Sequence, residues 1–167
     1  LMIVLVLIIR CLNSPKETFN NTPVNNYLVN VAEEHMEFIL SNVKLGQFKY
    51  LTVIQHRAFN ANNRMYYPIG QLSIITEEII PQQSEFIKNA IKNNKSAHLC
   101  TSYSVFPLDY QEVWNTSLML EPITETFSIW RPVVPKGYVA LSDLIVRGRQ
   151  KPSLKSIACV PILDTVQ

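Results

Sequence analysis

Metal-binding and redox signatures are missing from this sequence. Its three cysteines, Cys11, Cys100 and Cys159, form no C-x-x-C pair, and no histidine stands at ligand spacing from them. That excludes the common structural zinc patterns, and neither a metal nor a cofactor is expected. Catalytic signatures are missing too. His35, His56 and His98 are isolated from one another, and Glu33-Glu34-His35 does not complete H-E-x-x-H. There is no G-x-S-x-G, no P-loop and no dinucleotide fingerprint. The adjacent carboxylates Glu77 and Glu78 would point to opposite sides of a strand, the wrong geometry for shared acid–base work. The expectation is a protein that is not an enzyme.

Charge is sparse. Charged residues make up 17% of the 167, and the net charge is +2, so no global field recruits nucleic acid or a membrane. Any electrostatic function is local, and no recognised nucleic-acid motif is present. Glycine is scarce, with four residues against fourteen asparagines, a bias ascribed to coding-base composition and given no functional weight. The odd cysteine leaves the redox compartment open. Cys100 and Cys159 suit either a disulfide in an oxidising compartment or small buried hydrophobes, and the reduced, buried reading is preferred. Three N-x-[ST] sequons, at Asn20, Asn94 and Asn115, matter only in the secretory pathway.

One long apolar run is present: Leu1, Met2, Ile3, Val4, Leu5, Val6, Leu7, Ile8 and Ile9, closed by Arg10. It falls short of the ~20 residues that span a bilayer and lacks the basic n-region and cleavage site of a signal peptide. It reads as the end of a membrane anchor, a buried β-strand, or an arm docked on a partner, with its β-branched residues favouring a strand. The chain then divides into an arm over 1–12, a Pro- and Asn-rich linker over 13–26, and an amphipathic helix over 27–45, where Leu28, Val31, Ala32, Ile39, Leu40 and Val43 recur at helical spacing. Residues 46–167 form a mainly β domain of short apolar runs broken by Pro, Gly and Asn. A short helix is expected over Ser84 to Ile91, with Phe86, Ile87, Ala90 and Ile91 as its stripe.

The β region lies on itself at an offset of roughly 60 residues. Tyr50 to Val53 matches Tyr110 to Val113; Arg64 to Pro68 with Gly70 parallels Ser128 to Pro132 with Gly137; Lys95-Ser96 with Cys100 parallels Lys155-Ser156 with Cys159. Repeats over about 48–104 and 105–167 imply pseudo-repeated antiparallel sheets around an apolar centre.

The segment FSIWRPVVPKGYVALSDLIVRGRQKPSLKSIACVP, Phe127 to Pro161, resembles the W-R-P, P-x-G-Y-x-A-L-x-D and K-P-S-L-x-x-x-x-C-V-P string of the vacuolar protein sorting 62 family. The preceding PLDYQEVWN resembles that family's Pro-x-Asp-Tyr strand, so the likeness runs well over 106–161 and weakly over 48–100. Ser142 departs from the family, which commonly has Gly before Asp143. The resemblance implies a β-prism-like fold and a role in endomembrane or vacuolar sorting assemblies, and brings no catalytic residues.

Candidate binding residues follow from the same segment. Arg131, Lys136, Arg147, Arg149, Lys151 and Lys155 face only Asp143 within it, a local surplus of five positive charges suited to anionic headgroups or an acidic partner. Trp130 and Tyr138 suit either a core and turn or an aromatic ligand platform. Three functions are open: a non-catalytic adaptor contacting a membrane surface or protein partner; a structural subunit of a coat, capsid or organellar complex docked through the N-terminal arm; and a carbohydrate-binding prism with a glycan ligand. Localisation is endomembrane-associated or within a large assembly on these readings.

Overall fold

The structure is a computed structural model that describes residues 28–30, 35–61, 63–94, 99–120 and 123–164. The hydrophobic arm, the linker, His98 and Lys95-Ser96 lie outside the described residues. The domain is mainly β and built of several small antiparallel sheets.

Twelve strands are present among the described residues: β1 (Leu28–Asn30), β2 (Met36–Lys44), β3 (Tyr50–His56), β4 (Phe59–Ala61), β5 (Arg64–Pro68), β6 (Leu72–Thr76), β7 (Leu99–Thr101), β8 (Asp109–Asn115), β9 (Phe127–Val133), β10 (Tyr138–Val139), β11 (Leu144–Arg147) and β12 (Val160–Pro161). One sheet has the order β2-β3-β6, a second β11-β9-β8, a third β1-β7-β5-β4, and β10 pairs with β12. Strands β3 and β9 are the central members of their sheets and bury both faces, as near-continuous apolar strands do. On β3, Leu51 and Val53 enter one core and Ile54 another; on β9, Phe127 and Ile129 face one core and Trp130 the other.

The central core joins the first two sheets: Leu40, Val43, Leu51 and Val53 meet Trp114, Phe127, Ile129 and Ile145. Outside it, helix α1 (Glu85–Asn93) covers the free face of β3 and β6, placing Ile87 and Ile91 against Ile54, Leu72 and Ile74. The Ser84 hydroxyl accepts from the Ile87 N–H at 3.3 Å, Glu85 lies in the first turn and Lys92 in the last, each matched to the helix dipole. This is the short helix expected from the sequence, with Phe86 left half exposed.

The helix expected over 27–45 is not what residues 36–44 form. They are strand β2, and residues 28–30 are strand β1. The reason is a double irregularity: β2 shifts register against β3 between Phe38 and Leu40 and again between Leu40 and Val43. A bulge turns the two-residue side-chain period into a longer one, so the buried Leu40 and Val43 sit three apart and imitate a helical stripe. Asn42 fills the second irregularity at φ 50. Its side chain clamps Ile80, donating to the carbonyl at 2.9 Å and accepting from the N–H at 3.0 Å.

The pseudo-repeat holds for the positions of strands and not for their pairing. Strands β3 and β8 fall at the matched offset, as do β5 and β9. Yet β8 pairs with β9, whereas β3 pairs with β2 and β6, and β5 pairs with β4 and β7. The closing segments of both copies converge on Pro68, which stands opposite Cys100 and accepts at its carbonyl from the Ala158 N–H at 2.9 Å.

Ser142 keeps an ordinary negative φ, so its turn accepts a side chain where the family commonly has glycine. The compensation is at Gly70, where an added Cβ would lie 3.2 Å from Ser142 Oγ. Gly70→Ala is expected to lower stability by about 1 kcal/mol through overpacking, and the Gly70→Ala/Ser142→Gly double variant to recover it. A thermal-melt double-mutant cycle with no coupling between the two sites would contradict this contact.

Candidate functional site

Four of the six basic residues read from the sequence are each matched to a carboxylate. Arg131 donates to Asp143 through Nε and Nη2 at 3.1 and 3.0 Å. Arg147 pairs with Glu125, Arg149 with Glu112 at 3.4 Å, and Lys151 with Asp109 at 2.8 Å. Glu112 and Asp109 come from β8 and Glu125 from the chain before β9, so three of these partners lie outside the segment over which the charge surplus is counted. Six cations less four carboxylates leave Lys136 and Lys155 as the surplus, two charges where five were expected. The Asp109 carboxyl is held below its ordinary range by the Lys151 hydrogen bond first and the Tyr110 N–H second.

Trp130 is a core residue. Its indole is buried with Tyr110, Leu144 and Ile157, and Nε1 donates to Ser128 Oγ at 2.8 Å, which in turn donates to the Gly148 carbonyl at 2.8 Å. Tyr138 is half-buried where β10 meets β12. It follows Gly137, whose φ of 85 is the left-handed turn that glycine permits. Of the proposed aromatic pair, only Tyr138 reaches the surface.

The structure brings together a different constellation, an open groove of about 500 Å³ between β2 and β11. Its walls are Glu37 to Ile39 of β2, the end of β3, Leu144 to Arg147 of β11, and the turn at Lys155–Ser156. β2 has β3 as its ladder partner and β11 has β9, so each turns its other edge toward the groove. Side chains complete those edges. Gln71 Oε1 accepts from the Ile145 N–H at 2.8 Å, and Gln71 Nε2 donates to the Ile145 carbonyl at 2.9 Å, a one-residue imitation of a strand. Gln71 Nε2 also donates to Gln55 Oε1 at 2.8 Å, and Gln55 Nε2 to the Ser156 carbonyl at 2.7 Å. Arg147 Nη2 reaches the Ile39 carbonyl at 3.3 Å. Three cations stand on the rim, Arg57, Arg147 and Lys155, with Glu37 bound to Arg57 at 3.0 Å.

Of these residues only Arg147 and Lys155 were legible beforehand. Gln55, Arg57, Gln71 and Glu37 come from separate elements and share no local motif that marks them. His35 instead stacks on Phe59 with ring centroids 5.1 Å apart, and Phe59 stacks on Tyr66. Asn115 is buried and caps the turn after β8, accepting from the Ser117 N–H at 2.9 Å, so that sequon carries a structural side chain. Cys100 and Cys159 are buried and free. Burial pushes the Cys100 thiol up to about 12 and raises Cys159 as well, which removes thiolate reactivity near neutral pH. Among the described residues no cluster of three metal-ligating side chains occurs, and no helix is long and apolar enough to cross a membrane.

The fold and the groove define a mainly β module with an open cleft of mixed polar and apolar lining between two strands. The model of the family described as vacuolar protein sorting-associated protein 62 matches residues 66–165, more than half of the chain, and the chain belongs to that family. The match runs from the middle of β5 through β12, including β11 and the Lys155–Ser156 wall of the groove. No curated protein and no solved structure matches significantly.

Proposed function

We propose that this chain is a non-catalytic adaptor of the vacuolar-sorting type, and that it holds an extended, acidic segment of a protein partner in the groove between β2 and β11. The observation that carries this reading is the pairing of two strand edges with three rim cations. Strand edges fit an extended chain, which would exchange with the Gln71 amide at Ile145; Lys155 has no carboxylate beside it among the described residues, and carboxylates of the partner would exchange with Glu37 on Arg57 and with Glu125 on Arg147, both surface pairs. The same positive charges speed encounter and select the sign of the partner. We read the three larger sheets as the faces of a prism, with the main apolar core between the first two and a smaller cluster of Tyr66 and Cys100 on the third. A sorting assembly at endomembranes is the setting that the family suggests.

Fluorescence anisotropy with a labelled peptide of alternating Glu and Val tests this. Binding is expected to weaken as salt rises, and Lys155→Glu and Arg57→Glu to raise Kd roughly tenfold each, equivalent to about 1.4 kcal/mol. Arg149→Glu, outside the groove, is the control and is expected to change it little. Equal losses in all three variants, or no peptide binding by the wild type, would remove the groove as the contact site.

A further inference from the structure

Among the described residues, the groove between β2 and β11 is lined by three cations and by one carboxylate, Glu37. A cleft that collects anions has an evident use for Arg57, Arg147 and Lys155. The acid among them works against that use, and its placement is specific. In the β2–β3 ladder Glu37 stands opposite Gln55, and directly opposed residues project from the same face of a sheet. Gln55 belongs to the amide network of the groove: its Oε1 accepts from Gln71 at 2.8 Å, and its Nε2 donates to the Ser156 carbonyl at 2.7 Å. Glu37 therefore leaves β2 on the groove side, level with that network and with the turn that carries Lys155.

Arg57 reaches the same level from the end of β3. Its backbone N–H donates to the His35 carbonyl at 2.9 Å, which ties the chain just past β3 to the residue just ahead of β2. From there Arg57 Nε donates to Glu37 Oε2 at 3.0 Å. Arg147 is held differently. Its carboxylate, Glu125, is not part of the groove lining, and its Nη2 reaches the Ile39 carbonyl at 3.3 Å. Glu37 on Arg57 is thus the one ion pair built wholly from groove residues among the described residues, and its side chains are 36% and 69% exposed. A pair so exposed shifts an equilibrium by no more than about fivefold. An arriving carboxylate replaces Glu37 at small cost, and the displaced side chain turns into water.

We propose that Glu37 is the specificity-determining residue of the groove: an internal competitor that occupies Arg57 in the way a partner's carboxylate does, and so lowers the groove's preference for acidic over neutral segments. The inference rests on the reading of the groove as the site of an extended acidic segment, and adds that the chain's own acid already fills part of that site. A partner's carboxylate at Arg57 exchanges one ion pair for another and gains little, whereas one at Lys155 makes a new pair. Removing Glu37 gives Arg57 the same standing as Lys155.

Fluorescence anisotropy on the full chain, with the alternating Glu–Val peptide and an alternating Gln–Val counterpart, tests this. Glu37→Gln is expected to tighten the Glu–Val peptide roughly three- to fivefold and to leave the Gln–Val peptide unchanged, a split that a merely structural role of Glu37 would not produce. Loss of a nearby negative charge also favours an acidic ligand without any competition, so the substitution is repeated on an Arg57→Gln background. There Glu37→Gln is expected to change little, because the cation it holds is gone. Equal tightening with and without Arg57 would mean through-space repulsion, and the proposal falls. It falls as well if Glu37→Gln tightens both peptides alike, or fails to tighten the Glu–Val peptide while the wild type binds it, results that leave the groove standing as the binding site. Absence of wild-type binding removes the groove reading and this proposal together.

Discussion

Trp130→Ala is expected to lower the unfolding free energy by about 3–5 kcal/mol, the range for emptying a buried large aromatic site. Against a typical total of ~5–15 kcal/mol, that leaves the domain at or near the unfolding threshold. The indole fills the core with Tyr110, Leu144 and Ile157 on the outer face of the second sheet, and its Nε1 orders Ser128 against the Gly148 carbonyl. Losing the ring therefore leaves a cavity and loosens the turn after β11 together. Trp130→Phe retains much of the volume and loses the hydrogen bond, so a smaller cost of about 1–2 kcal/mol is expected. Tyr138→Ala, at a half-buried site, is expected to cost less than either. Urea unfolding followed by circular dichroism ranks the three. A Trp130→Ala midpoint close to that of the wild type would mean the indole is a surface group.

Gln71→Leu is expected to cost about 2–4 kcal/mol although the side-chain volume barely changes. Ile145 is buried, and without the amide its N–H and carbonyl lose the partners the structure gives them on that edge. Each buried orphan of this kind costs about 1–3 kcal/mol, and Gln55 loses a donor as well. Gln71→Glu separates the geometry from the chemistry. The carboxylate keeps the bond from the Ile145 N–H but faces the Ile145 carbonyl and Gln55 Oε1, which favours its protonated form and raises its folded-state pKa. A raised pKa gives stability that is complete below the unfolded value of about 4.3 and lost as pH rises through the folded one. Gln71→Glu is therefore expected to gain stability relative to wild type as pH falls from 7 toward 4, and Gln71→Leu to show no such trend. Parallel pH dependences for the two variants would show that the Gln71 amide does not hold the edge of β11.

Much of this was legible in the sequence wherever one strand and its turn carry the information. The W-R-P segment with Gly137 and the short helix at Ser84 are local: their periods and caps are set by neighbours in the chain. The family resemblance rested on the same stretch. Residues 27–45 misled because a bulged strand repeats its buried residues at three where a regular strand repeats at two, and Leu40 and Val43 follow the bulge. The charge surplus misled for a different reason. A window from Phe127 to Lys155 cannot contain Asp109 and Glu112, which reach Lys151 and Arg149 from the neighbouring strand β8. The groove was invisible because Gln71 looks like any surface glutamine until β6 and β11 place it beside Ile145. Pairing partners, more than residue types, decide what is core and what is site here.

Hydrogen exchange on the full chain, with and without the acidic Glu–Val peptide, tests most directly whether the cleft between the two strand edges is the binding site. The expected result is added protection at residues 37–39 and 144–147, the backbones of the two walls, with none at Gly148 to Lys151, which lie outside the groove. Protection confined to Gly148 to Lys151, or spread evenly over every basic segment, would contradict it.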